Sequence, residues 1–410
     1  MRSFFKVKTA KEVLESLRTV QPLGTETVFM TDALNRILAS DIVSSEDIPG
    51  FQRSTVDGYA LDVRDTFGAS ESLPTPLVIV GEVKMGQMPD LGVKRGECAL
   101  ISTGGMLPQG CDGVVMVEYA QKIEETVVEI SRPVSPLENV ILADDDVKQG
   151  QVILHERTLL RAQDLGVLAG LGIEAVEVFR RPRAAIISTG EEIVDITEKP
   201  KPGQVRDINS YTVGGLCTGL GVMPIYLGIA GDSLEDLKVL FEKGLSQADV
   251  ILLSGGSSVG AKDMTLDLFL SFADVELVAH GVSISPGKPT IIARKGNQTL
   301  WGLPGHPVSA MVIFDVFLRY LFAKLSGLAN PASYYRHAVE AELDRNIESA
   351  SGREDYIRVR IVTEDGKLVA KPILGKSGLI STMVEADGIV KIDMNTEGLY
   401  RGDNVKVRLF

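Results

Sequence analysis

The sequence predicts a multidomain α/β-plus-β protein built around a doubly wound parallel sheet. Three observations carry that expectation. Between 183 and 326, apolar strand-like runs alternate with helical patterns, the order in which a parallel sheet is assembled. Over 46–142, short β-branched runs separated by Gly and Pro turns read as an inserted all-β domain. After Gly327, strand-like runs return without helices and give a small C-terminal β-domain over 328–410. The α/β domain then takes 181–327, and 1–45 with 143–180 forms a mixed N-terminal and linking region. A length of 410 residues agrees with several domains of roughly 150 residues each.

In chain order, Thr9 followed by Glu12 is a capping box. Val13, Leu14 and Leu17 fall on one face of the helix it opens, which is expected to pack on the α/β domain. The inserted domain offers strand runs at 77–80, 98–102, 113–118 and 126–130, and a helix over 162–171 closes the linking region. In the α/β domain, RAAIIS (183–188) is a buried strand ending in Thr189-Gly190, followed by a helix over 209–220 and a strand over 222–227. Ser233 caps a helix carrying Leu234, Leu237, Leu240 and Leu245. DVILLS (249–254) runs into Gly255-Gly256, and a strand at 300–303 leads through PGHP into a long helix. The tail has strand runs at 356–362, 368–371, 388–392 and 404–409.

The net charge of −13 excludes a general nucleic-acid binder, which needs a basic field. It leaves room for an anionic small molecule held by a local nest of amides and a few cations. Cys98, Cys111 and Cys217 are scattered without CxxC spacing, the usage of a reducing compartment. The N-terminus lacks a signal-peptide core, and the apolar stretch 308–325 is interrupted by Asp315, Arg319 and Lys324. A cytoplasmic protein without a membrane partner is expected.

In doubly wound sheets, ligands lie outside the carboxyl ends of the strands. Here three strand ends carry glycine-rich polar loops: STGEE, SGGSSVGAKD and LPGHPVSA. A dinucleotide fingerprint fails on the spacing of Gly255, Gly256 and Gly260, and a Walker loop ending in Gly375-Lys376-Ser377 fails because Ala370 stands where its first Gly is required. What remains is a set of acids beside the loops: Asp57, Glu191, Glu192, Asp207 and Asp263. Each alone reads more readily as a turn or N-cap residue than as a ligand. Together, beside a phosphate-holding loop, they suit Mg²⁺. Lys262 and Lys288 read either as solvated charges or as oxyanion contacts, and His306 either caps the last helix or meets ligand. Asp144-Asp145-Asp146 reads chiefly as a solvated turn. No Ser/His/Asp triad or HExxH is present.

Seven strings occur in order along nearly the whole chain: STVDGYA (54–60), ISTGGMLPQGCDGVVMVE (101–118), STGEEIV (188–194), GQVRDIN (203–209), LLSGGSSVGAKD (252–263), SPGKPT (285–290) and LPGHPVSA (303–310). On these the sequence resembles the molybdopterin molybdenumtransferases and the matching C-terminal domain of gephyrin. The resemblance implies insertion of molybdate into adenylylated molybdopterin, with hydrolysis of the adenylyl–pyrophosphate link and release of AMP. It also implies a Mg²⁺ requirement, an elongated homodimer of four-domain subunits and an active site shared between them. The enzyme that adenylylates molybdopterin, which shares the α/β domain, is an implied partner.

Carried over motif by motif, the resemblance makes Asp57, Thr103, Glu192, Asp232 and Asp263 catalytic, with Glu192, Asp232 and Asp263 also handling the metal. It assigns Gly104, Asp146, Thr189, Gly190, Asp207, Asn209, Ser254, Gly255, Gly256, Ser258, Pro304, Gly305, His306 and Pro307 to substrate binding. Lys288 would hold molybdate, and Asp57 and Thr103 would face the pocket from the partner subunit.

The sequence departs from the family pattern at ILADDD (141–146), where a basic run is frequent, at Ser257 and Ala261-Lys262, and at His306 in place of a common asparagine. These departures leave a tungstate-inserting paralogue open. A molybdopterin adenylyltransferase-like enzyme would lack the residues before the α/β domain. A gephyrin-like scaffold would carry a fused second enzyme domain, which the sequence does not show.

Overall fold

The computed structural model describes residues 7–231, 233–255, 259–333 and 337–410, without the side chains of 259–263 and 333. The chain divides into two compact units: Met1–Ala39 with Arg157–Arg161 and Ala175–Phe410, and Ser40–Glu156 with Ala162–Glu174. The expected linking region is thereby divided between the two.

The smaller unit holds the expected all-β segment. Its six-stranded sheet runs, in spatial order, Gly113–Met116, Gly58–Leu61, Glu97–Ile101, Thr75–Glu82, Val127–Ile130 and Ala120–Glu124. Tyr59, Leu61, Leu77, Cys98, Val115, Val128 and Ile130 form its core. Gly58 is required by close approach: a Cβ there would stand 1.9 Å from the Val115 carbonyl oxygen.

The larger unit is centred on a six-stranded sheet of β1 (Arg183–Thr189), β2 (Met223–Ala230), β3 (Val250–Gly255), β4 (Val275–His280), β5 (Ile291–Lys295) and β6 (Gln298–Leu303), in the order β2-β1-β3-β6-β5-β4. The β2–β1, β1–β3 and β3–β6 pairings are parallel, and β6–β5 and β5–β4 are antiparallel. The sheet is therefore mixed. Its antiparallel edge escapes an alternation-based reading because a tight turn, with no crossover helix, joins β5 to β6.

Helices cover both faces. α1 (Ala10–Leu17) begins with the Thr9–Glu12 capping box and buries Val13 and Leu17 in one core, together with α2 (Asn209–Gly219) and the helical run Pro307–Leu325. Trp301, Phe314, Phe317 and Phe322 are fully buried in that core. Truncating any one to Ala costs about 3–5 kcal/mol, because the cavity left behind cannot refill. α3 (Leu234–Gln247), capped by Ser233, and α4 (Val259–Leu270) cover the opposite face around Phe241 and Phe269. The Pro307–Leu325 run widens to a π-turn at Phe314–Leu318, where Asp315 accepts from Arg319 Nε at 3.1 Å and pairs with Arg408 at 3.3 Å. No helix among the described residues is long and apolar enough to cross a membrane.

The tail strands Glu354–Glu364, Lys367–Pro372, Ala338–Leu343, Asn404–Leu409 and Gly388–Ile392 follow one another, and pairing of the first with the last closes a ring. The short strand Ile284–Ser285, between β4 and β5, pairs in parallel with Glu354–Asp355. This pairing sets the SPGKP segment beside the tail domain.

Candidate functional site

β1 and β3, adjacent and parallel, end level with each other, at Thr189 and Gly255. The approach leaves no room for side chains: a Cβ on Gly255 would lie 1.9 Å from the Thr189 carbonyl oxygen, and φ there is +148°. Gly190 also has positive φ, and Glu192 folds its carboxylate back over it, so that a Cβ on Gly190 would stand 2.7 Å from Oε2.

The D-x-N pair opens α2. Asp207 Oδ1 accepts the Ser210 amide at 3.1 Å, and Asp207, Asn209 and Ser210 are all buried, Asn209 being only 7% exposed. Asn209 Nδ2 donates to Ser254 Oγ at 2.6 Å and to the Gly305 carbonyl at 2.9 Å. Among the described residues, Asn209 Oδ1 and Thr189 Oγ1 are buried without a hydrogen-bond partner.

Asp207 and Asn209 line a cavity of about 290 Å³ with Ser188, Glu192, Arg206, Ser254, Gly255, Gly305, His306 and Pro307. A second cavity, about 630 Å³, shares Gly305 and His306 with it and is lined by Ser283–Pro289, Pro304, Ser309, 350–353 and Ser377. Lys288 and Arg353 are its cations, and Arg353 is held by Asp355 through Nε at 3.1 Å. His306 is exposed at the start of its helix, makes no side-chain cap, and meets Ser377 Oγ through Nδ1 at 2.8 Å.

The larger unit thus brings together Thr189, Glu192, Asp207, Asn209, Ser254, Gly255, Lys288, Pro304, Gly305, His306 and Pro307, with Gly190 beside them. Asp232, Gly256 and Ser258, and the side chains of Lys262 and Asp263, lie outside the described residues. Glu191 is exposed. Among the described residues, no three His, Cys, Asp or Glu form a metal-holding group.

Asp57, Thr103, Gly104 and Asp146 belong to the smaller unit. Asp57 Oδ1 accepts the Thr103 amide at 2.7 Å and its hydroxyl at 3.1 Å, while Gly104, with φ +85°, donates to the Ser54 carbonyl. Asp146 is exposed, and its neighbours Asp145 and Asp144 serve the turn by accepting the Leu142 amide and pairing with Lys148. Burial pushes the Cys98 and Cys111 thiols up to about 12, which removes them as nucleophiles at neutral pH.

Arg353 and Ser377 were missed by sequence reasoning. Their signals are the pattern G-R-E-D beside a strand and the G-K-S triplet, which by itself resembles only the end of a Walker loop. Nothing local places either residue against Lys288, some 65 and 89 positions earlier in the chain.

Three sequence profiles match the chain: "MoeA N-terminal region (domain I and II)" over 5–172, "Probable molybdopterin binding domain" over 185–324 and "MoeA C-terminal region (domain IV)" over 340–410. A molybdopterin molybdenumtransferase of Haemophilus influenzae is 31% identical, over 95% of each chain. One from a Nostoc species is 33% identical, over 83% of this chain and 78% of the relative. A crystal structure of the molybdopterin biosynthesis MoeA protein of Pyrococcus horikoshii superposes with a TM-score of 0.85 at 32% identity, covering 99% of this chain and all of that one.

Proposed function

The chain belongs to the MoeA family of molybdopterin molybdenumtransferases, and from that premise we propose that it inserts molybdate into adenylylated molybdopterin and releases AMP. The observation that supports this reading best is the pair of joined cavities. One offers carboxylates, hydroxyls and loop amides at the carboxyl ends of β1, β3 and β6; the other offers Lys288 and Arg353. A phosphorylated pterin suits the first and a tetraoxo anion the second, since an oxyanion takes charged donors and a phosphate takes amide nests. Gly305 and His306 border both, so the two reactants would meet across the PGHP loop.

The chain's own residues supply the positioning. Asn209 holds the β3 and β6 loops in register, and Asp207 fixes the first turn of α2. Lys288 and Arg353 would draw the oxyanion into an acidic protein against its net charge of −13.

A Mg²⁺ requirement belongs to the same proposal. Apart from His306, the side-chain acceptors of the smaller cavity are oxygens: Glu192, Asp207, Ser188, Ser254 and the unpartnered Asn209 Oδ1. Such hard donors fit Mg²⁺. Glu192 would hold it, with Asp232 and Asp263 as the further acids that the family motifs suggest. When bound, the ion would offset the phosphate charge. A homodimer in which Asp57 and Thr103 of one subunit serve the other's pocket, a cytoplasmic location and the molybdopterin adenylyltransferase as partner complete the reading.

The test is direct. Purified protein given adenylylated molybdopterin, molybdate and Mg²⁺ releases AMP and yields cofactor that reconstitutes an apo-molybdoenzyme. No AMP release, beside an active positive control, overturns the proposal. Competition between molybdate and tungstate in the same assay decides the oxyanion.

A further inference from the structure

Two exposed aromatic rings stand beside the smaller cavity. Tyr211 lies in the first turn of α2 and Tyr226 on the edge strand β2, and they are 52% and 53% exposed. Their rings stack with centroids 6.3 Å apart and planes 30° from parallel. Gly214 makes room for the arrangement: a Cβ there would stand 2.1 Å from the Tyr226 hydroxyl oxygen and 2.7 Å from its ring. Tyr226 is therefore laid against the helix, and it backs Tyr211 in turn. Single apolar side chains on a surface need no explanation. A half-exposed stack held in place is different, because a flat face that is already ordered takes a flat ligand at little entropic cost.

The stack continues the cavity wall. Ile208 lines the cavity, is 38% exposed and already has helical dihedrals, and its carbonyl accepts the Thr212 amide at 3.0 Å. Tyr211 follows three positions later, so the two side chains are neighbours on one face of that turn. At about 290 Å³ the cavity sits at the lower limit of the roughly 300–1,000 Å³ that small-molecule sites occupy. An adenylylated pterin carries a ring system at each end of a pyrophosphate. With the pterin inside, the purine has to lie beyond the rim, and the rim at Ile208 leads to Tyr211.

We propose that Tyr211, backed by Tyr226, seats the purine base of the adenylyl group. The inference rests on the reading of the smaller cavity as the pterin site, and it adds the feature that tells an adenylylated pterin from a free one. The contact is stacking alone, so the base departs with the nucleotide once the phosphate link is cut.

The experiment uses the full chain and calorimetry, with AMP and ribose 5-phosphate as probes that differ only in the base. Wild type is expected to bind AMP about tenfold more tightly, within the range that one base–aromatic stack contributes. Tyr211→Ala is expected to remove that advantage and to leave the affinity for non-adenylylated molybdopterin unchanged. Tyr211→Phe keeps the ring and retains it, and Tyr226→Ala shows a smaller loss. Both rings lie at the surface, so truncation opens no core. Equal binding of the two probes by wild type, or an undiminished preference in Tyr211→Ala, overturns the proposal. So does a changed sedimentation coefficient in Tyr211→Ala, which makes the stack a contact between copies. Turnover separates the two readings. Tyr211→Ala with an unaltered KM for adenylylated pterin ends the purine seat and leaves the proposed function standing. Wild type that prefers AMP through Tyr211 but releases none from adenylylated pterin ends the function and leaves the seat.

Discussion

Asn209 donates to the Gly305 carbonyl at 2.9 Å, tying the start of α2 to the loop after β6. A carbonyl cannot donate, so the NH₂ must face it, and the amide orientation is settled. The carbonyl oxygen of the side chain is then the atom left without a partner among the described residues. Asn209→Asp places a carboxylate against the Gly305 carbonyl and is expected to cost about 1–3 kcal/mol of stability, read as a lower urea midpoint. Asn209→Ala is expected to lower AMP release at least tenfold. An unchanged midpoint in the first variant would remove the loop-tying role.

Asp57 holds Thr103 through two hydrogen bonds to one oxygen. Asp57→Ala is expected to impair metal insertion at least tenfold while sedimentation and circular dichroism stay as in wild type. Thr103→Val, which keeps the backbone donor, should lose less. Full activity of Asp57→Ala would take the residue out of the site.

Lys288 contributes charge to the larger cavity, not to the smaller one. Lys288→Ala should therefore raise the KM for molybdate about tenfold, the worth of one charge-assisted hydrogen bond, with little change in the KM for the pterin. Equal rises in both would place Lys288 in a general structural role.

Gly255 and Gly203 both have positive φ but differ in surroundings. A Cβ on Gly255 strikes the Thr189 carbonyl, whereas nothing lies within 4 Å of one on Gly203. Gly203→Ala is expected to cost about 1 kcal/mol from backbone strain alone. Gly255→Ala, which must also push two strand ends apart, should cost more than about 3 kcal/mol. Thermal unfolding of the two variants compares them directly.

In the smaller unit, the Arg64 guanidinium, bonded through Nε at 2.9 Å, holds the Asp62 carboxyl below its ordinary range, aided by the Arg64 amide. A depressed carboxyl pKa contributes stability that is fully present above the unfolded value, about 3.9, and is lost as pH falls through the folded one. The urea-midpoint gap between wild type and Asp62→Asn should therefore be constant above about pH 5 and shrink on acidification below about pH 4. A gap that widened on acidification would contradict the pairing.

Much of the site was legible because its glycines and acids are local necessities. Glycine at 255 and 190 answers a backbone demand that any sequence ending a strand there would face, and Asp207 caps a turn three residues long. Arg353 and Ser377 were not legible as site residues. Their roles come from the parallel pairing of Ile284–Ser285 with Glu354–Asp355, a contact about 70 positions apart with no local signature. The β4–β5 edge was missed for the related reason that alternation of strand and helix detects crossovers and is blind to hairpins.

By itself the sequence determined the classes of its elements, the glycine loops that end three strands and the family to which the chain belongs. These rest on hydrophobic period, turn chemistry and short motifs, all of which act within a dozen residues. Only the tertiary structure decided that Lys288, Arg353 and Ser377 line one cavity. Burial and charge pairing are sums over neighbours that the chain brings together from far apart, so no local stretch contains them.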